Sequence, residues 1–190
     1  MKHQAAKTFL GPTLMMLYLL TLDYFAPAHD PILNVISSLS LAPAPIPILV
    51  SLTIYLPIAL LIIYVAGFHK DINKRTRGFL YLAAIGVFTV IIFPCKDSCS
   101  LKDLPTIIHD IGGYVSFIAA AIAMIFYYLQ TKENTYMREI TKFTLFATLL
   151  PGLMALAFPQ SPYYGLLERV TMYALLIWLS AATWNVLDKH

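Results

Sequence analysis

His109 and Asp110 stand side by side at the start of a long apolar stretch, and Asp97 precedes them in a short polar loop. A histidine beside carboxylates is the material of a general base. Asp97 or Asp110 would orient the His109 ring, which would then activate water or the Ser37 hydroxyl against a lipid ester or amide. Arg169 follows Glu168 directly and offers a planar fork suited to a phosphate or carboxylate, with Asn34 and Tyr164 completing a headgroup site. A metal version would gather His109, Asp97, Asp110, Glu168 and His29 around an open water position. No H-x-x-x-H or H-E-x-x-H spacing exists, and haem would need two facing intramembrane histidines, so no metal or cofactor is expected. Plainer readings stand beside these: Asp110 as a cap and dipole partner, His109 as an interhelical hydrogen bond, Arg169 as an anchor between helices.

The elements that must carry these groups are six uncharged apolar runs: Thr8 to Leu22, Pro31 to Phe68, Gly78 to Cys95, Ile111 to Thr131, Phe143 to Leu167 and Val170 to Leu187. A helix needs about 20 apolar residues to cross a bilayer, so six crossings fit. If the connections His69 to Arg77 and Lys132 to Lys142 lie inside with both termini, 10 of the 13 basic residues share that face. Only Lys96, Lys102 and Arg169 are left outside. This is the positive-inside pattern, and it predicts an N-in, C-in topology with Tyr64, Phe68, Phe79, Tyr127 and Tyr128 in an aromatic belt. The net charge of +3 thus hides a basic inner face and an acidic outer one. The inner charges read as a topology signal and a lipid-headgroup contact. Nucleic acid is excluded as a partner, because no dense basic patch with interleaved aromatics is present.

Hydrophobic residues make up 59% of the chain and charged ones 12%, which leaves no room for a soluble domain, and residues 1–190 read as a single domain. Lys2, Lys7 and Ala26-Pro27-Ala28 resemble a signal peptide and its cleavage site. Asp23, Tyr24 and Phe25 are poor neighbours for a peptidase, so an uncleaved helix is expected. The second run is too long for one crossing. Asn34, the serines 37, 38 and 40 and the prolines 43, 45 and 47 predict an extended or polyproline-like outer loop from Ala28 to about Pro45. That loop would roof or line a cavity, with the second helix starting near Ile46. Pro151-Gly152 should kink or break the fifth helix. Glu168 and Arg169 point about 100° apart on a helix, so each should find a partner elsewhere, with Asp97 or Asp110 candidates for Arg169. Gly112, Gly113 and Ser116 would let a neighbouring helix or ligand approach His109 closely. Cys95 and Cys99, the only cysteines, are spaced for a disulfide in an outer loop, most simply a structural staple.

Three segments carry a resemblance. Asn34-Val35-Ile36-Ser37-Ser38-Leu39-Ser40 resembles the N-x-I-S-[D]-L-G segment of a six-helix membrane family catalogued as domain of unknown function 998. Phe93-Pro94-Cys95-Lys96-Asp97-Ser98-Cys99 with Ile108-His109-Asp110 is similar to its F-P-C-D-x-x-C loop and the histidine that follows. Gly165-Leu166-Leu167-Glu168-Arg169 resembles its G-L-x-[EQ]-R start of the last helix. A more distant likeness is to the DRAM-type membrane proteins. Ser38 stands where the family has an acid, Ser40 where it has glycine, and Lys96 is extra, which puts any mechanism needing an acid at position 38 in doubt. The resemblance implies a six-helix fold and a shared outer polar cluster, and no activity.

The expected protein is therefore all-α and polytopic, in the plasma or inner membrane. Its outer-face site would bind a lipid or amphiphile headgroup and hydrolyse it. The alternative is a non-enzymatic scaffold or assembly factor whose polar cluster locks helices together. Membrane lipid is the expected partner in the first case; a second copy or another membrane protein is expected in the other. A wet, lipid-accessible cavity around His109 favours the first, and a closed salt-bridge network the second.

Overall fold

Side-chain caps set three helix starts in the computed structural model, which describes residues 2–26, 30–42, 45–70, 72–95, 103–131, 134–158 and 162–187. Asn73 accepts from the Thr76 N–H at 2.8 Å, Asp103 from the Thr106 N–H at 2.9 Å, and Asn134 from the Met137 N–H at 3.0 Å. Each cap satisfies a backbone donor that the helix cannot, typically worth about 1 kcal/mol. Six long helices result among the described residues: α1 (Lys2–Tyr24), α2 (Ile46–Phe68), α3 (Lys74–Ile92), α4 (Leu104–Gln130), α5 (Thr135–Ala157) and α6 (Tyr164–Leu187). One π turn, Ser51–Tyr55, interrupts α2 just before Pro57, which has no N–H to give to the preceding turn.

Large apolar side chains cover the outside of the bundle as well as filling its core. Along α4 the small residues Gly112, Ser116, Ala119, Ala120 and Ala123 are buried, whereas Ile111, Ile118 and Ile125 form an exposed stripe. Small residues let helix backbones approach, which is how helices associate where lipid removes the hydrophobic drive. The α3–α4 crossing uses this fully: a Cβ added to Gly86 would stand 2.6 Å from the Gly112 carbonyl oxygen and 2.7 Å from the Ser116 nitrogen. The sixth helix is central, packing on α1, α2 and α5, with Trp178, Leu179 and Ala182 fully buried. By length and composition α2, α3, α4 and Gly165–Leu187 of α6 can each cross a membrane; α1 and α5, 23 residues apiece, are not among them.

Several expectations change. The loop before α2 is not wholly extended: Ile36–Leu41 forms a 3-10 helix with Ile36 and Leu39 fully buried, so apolar side chains anchor it into the bundle. Pro151 does not break α5, which continues to Ala157. Tyr127 is 1% exposed and sits edge-on to His69 and Trp178, so it belongs to the core rather than to an interfacial belt.

Candidate functional site

Arg169 lies in the second turn of α6 and is 4% exposed. Its Nη2 donates to Asp23 Oδ1, near the end of α1, at 2.8 Å. Its Nη1 donates to the carbonyls of Pro31 at 2.8 Å, Asn34 at 2.7 Å and Gly165 at 3.2 Å. Nε is buried with no hydrogen-bond partner among the described residues. Glu168 works on the same loop, accepting the Ile36 N–H at 2.5 Å, while the Leu166 N–H donates to the Ile32 carbonyl at 3.1 Å. Asp30 shapes the loop from within by accepting from the Ile32 N–H at 2.8 Å. Gly165 makes the approach feasible, because a Cβ there would fall 2.2 Å from the Asn34 oxygen. Two adjacent side chains thus pin one loop to α6, and Arg169 also draws in α1. Tyr55, in the π turn of α2, lies within electrostatic reach of both Glu168 and Arg169.

The partner of Arg169 is Asp23 rather than Asp110, because loop 30–36 and the end of α1 lie over the start of α6; the other expected partner, Asp97, lies outside the described residues. Asn34 contributes its backbone carbonyl to Arg169. Ser37 lies on the 3-10 helix and Tyr164 opens α6; their side chains, with Asp97, Cys99 and His29, fall outside the described residues. Cys95 is 3% exposed and is not a free thiol; its expected partner Cys99 lies outside the described residues.

His109 stands in a separate setting. It is 5% exposed, and its Nδ1 lies 2.8 Å from the carbonyl oxygen of Phe93, the residue that closes α3. A carbonyl only accepts, so Nδ1 is the donor in this contact and carries a proton. Asp110 is half-buried and within electrostatic reach of His109. Thus His109 ties α4 to the end of α3, while Arg169 and Glu168 tie α6 to α1 and the loop. Among the described residues no three His, Cys, Asp or Glu side chains converge.

A second polar cluster, at the opposite end of the bundle, escaped the sequence reading. His69, 1% exposed, closes α2. Hydrogen bonds fix its protonation site by a chain of direction. The Met137 N–H donates to Asn134 Oδ1, the Asn134 amide donates to Asn185 Oδ1 at 3.3 Å, and the Asn185 amide therefore donates to His69 Nε2 at 3.1 Å. Nε2 is an acceptor, with Tyr127 Oη 3.3 Å away, and so His69 is neutral with its proton on Nδ1. Below it Trp178 Nε1 donates to Thr141 Oγ1 at 3.0 Å. Asn185, an amide inside an apolar run, was the available signal, since intramembrane polar groups ask for partners.

Against known proteins, the sequence model described as "Protein of unknown function (DUF998)" matches residues 9–185. No curated protein and no solved structure matches the chain.

Proposed function

Because the chain belongs to the DUF998 family over nearly its whole length, a membership that brings no activity with it, we propose its role from its own residues: a non-enzymatic, multi-pass membrane scaffold or assembly component. The carrying observation is the engagement of Arg169. The cation best suited to hold a lipid headgroup is buried, ion-paired to Asp23 and bonded to three backbone carbonyls. That supports the closed-network reading over a headgroup site. We propose six crossings with both termini inside, in the plasma or inner membrane. At about 1.5 Å per residue, α1 and α5 have the length to span alongside the four strongly apolar helices, and the sorting of 10 basic residues to one face supports the orientation. A Cys95–Cys99 staple is part of the proposal, in keeping with the absence of a free thiol among the described residues.

Lipid content separates the two roles. Native mass spectrometry of the folded fraction, wild type against Arg169→Ala, should give the same lipid stoichiometry with lower thermal stability; selective loss of a lipid from folded Arg169→Ala would overturn the scaffold reading. A catalytic reading keeps one specific support, the His109 ring beside Asp110. Its test is ester hydrolysis in lipid vesicles that disappears in His109→Gln.

A further inference from the structure

Outside both polar clusters, the end of α4 and the start of α5 leave between them a groove of about 220 Å³, lined by Tyr128, Lys142, Leu145, Phe146 and Leu149. Its walls are apolar or aromatic throughout, Lys142 contributing its aliphatic stem while its ammonium stands at the rim. Lys142, Leu145, Phe146 and Leu149 follow helical three- and four-residue spacing, so they form one strip of α5 running away from Lys142. Arg138, one turn earlier, lies with its guanidinium 5.2 Å from the centroid of the Tyr128 ring, which places a second cation at the same end. Both cations are exposed, and among the described residues neither is ion-paired with a carboxylate. Phe146 is 65% exposed on the strip beyond them.

We propose that this groove binds one anionic phospholipid, its phosphate held by Lys142 and Arg138 and an acyl chain laid along Phe146 and Leu149. A zwitterionic lipid offers the same phosphate but brings its own cation beside it, so only a lipid of net negative charge balances the two exposed cations. The lysine stem follows the apolar wall while its ammonium reaches the headgroup level, the geometry by which long basic side chains sit at membrane interfaces. This site is independent of the Arg169 cluster and of the scaffold reading.

The test is a native mass spectrometry titration of the full chain in detergent with phosphatidylglycerol and with phosphatidylcholine carrying identical tails. The wild type should prefer phosphatidylglycerol. Lys142→Gln should weaken that binding by about fivefold, Arg138→Gln/Lys142→Gln further, and neither should alter phosphatidylcholine binding. Lys142→Arg should keep the preference, as should Lys74→Gln at the start of α3, which controls for net charge. Leu149→Trp should fill the groove and weaken phosphatidylglycerol binding with both cations intact. Equal binding of the two lipids by the wild type, or a preference surviving in the folded double variant, would overturn the proposal.

Discussion

Arg169 and Asp23, 146 positions apart in the chain, meet at 2.8 Å with side chains 5% and 3% exposed. A buried pair of this kind is weak evidence of net stabilisation, because desolvation offsets much of the attraction. Its disruption is costly, since the remaining charge is stranded. Arg169→Ala should therefore lower unfolding stability in detergent by roughly 3–5 kcal/mol. The Asp23→Ala/Arg169→Ala double variant should cost clearly less than the two single changes added together. Additive losses in a thermal or denaturant titration would mean that the pair is not coupled. Arg169→Lys should rescue little, because one ammonium cannot reach three carbonyls and a carboxylate at once.

Close backbone approach gives a steric prediction. At Gly86 the atoms in the way are the Gly112 carbonyl and the Ser116 backbone, and at Gly165 they belong to the Asn34 backbone. Backbone cannot rotate aside as a flexible side chain can, so Gly86→Ala and Gly165→Ala should each destabilise by about 1–3 kcal/mol, the range for overpacking. Gly113→Ala, with nothing within 4 Å of the added Cβ, should be neutral or slightly stabilising. If all three alanine variants melt together, the close α3–α4 and loop–α6 contacts are not what these glycines provide.

How far the sequence reveals this structure depends on the range of the interaction. Local signals are written within a few residues, which is why Ile46 could be placed at a helix start. Adjacent residues on a helix must diverge, so the separate partners of Glu168 and Arg169 were also predictable. Their identities were not: Asp23 reaches Arg169 only because α1 packs on α6, and no spacing in the chain encodes that. His109 pairs with a backbone carbonyl, which every residue carries and no pattern marks. The His69 cluster draws on four segments, and apart from Asn185, an amide inside an apolar run, His69, Asn134 and Tyr127 looked like loop and belt residues until the helices were assembled. Pro151-Gly152 was expected to kink or break α5; the break does not occur, since the helix continues through Pro151 to Ala157.

The relay from Met137 through Asn134 and Asn185 to His69 predicts an asymmetric response to mutation. Asn185→Leu removes a donor and an acceptor at once, stranding the Asn134 amide and leaving His69 Nε2 to the Tyr127 hydroxyl 3.3 Å away, so it should cost about 1–3 kcal/mol. Asn185→Asp keeps the acceptor for Asn134 and loses the donor to Nε2. It would favour a protonated His69, making stability greater at low pH than at high pH relative to wild type. Unfolding midpoints measured on either side of neutrality check this, and an Asn185→Asp variant with the wild-type pH profile would contradict the hydrogen-bond directions assigned here.

His109 is the residue for which a structural and a chemical role make opposite demands on one substitution. Its bond to Phe93 needs only a donor at the position of Nδ1, whereas a general base needs the lone pair of Nε2. Glutamine can supply the first through its amide and cannot titrate to supply the second. His109→Leu should lower stability by about 1–3 kcal/mol, since the Phe93 carbonyl loses its partner at the end of α3. His109→Gln should recover most of that loss in thermal unfolding, and a cell in which the protein is required should then tolerate glutamine but not leucine. Glutamine that restores folding yet abolishes function would move the role of His109 from holding α3 against α4 to the chemistry of Nε2.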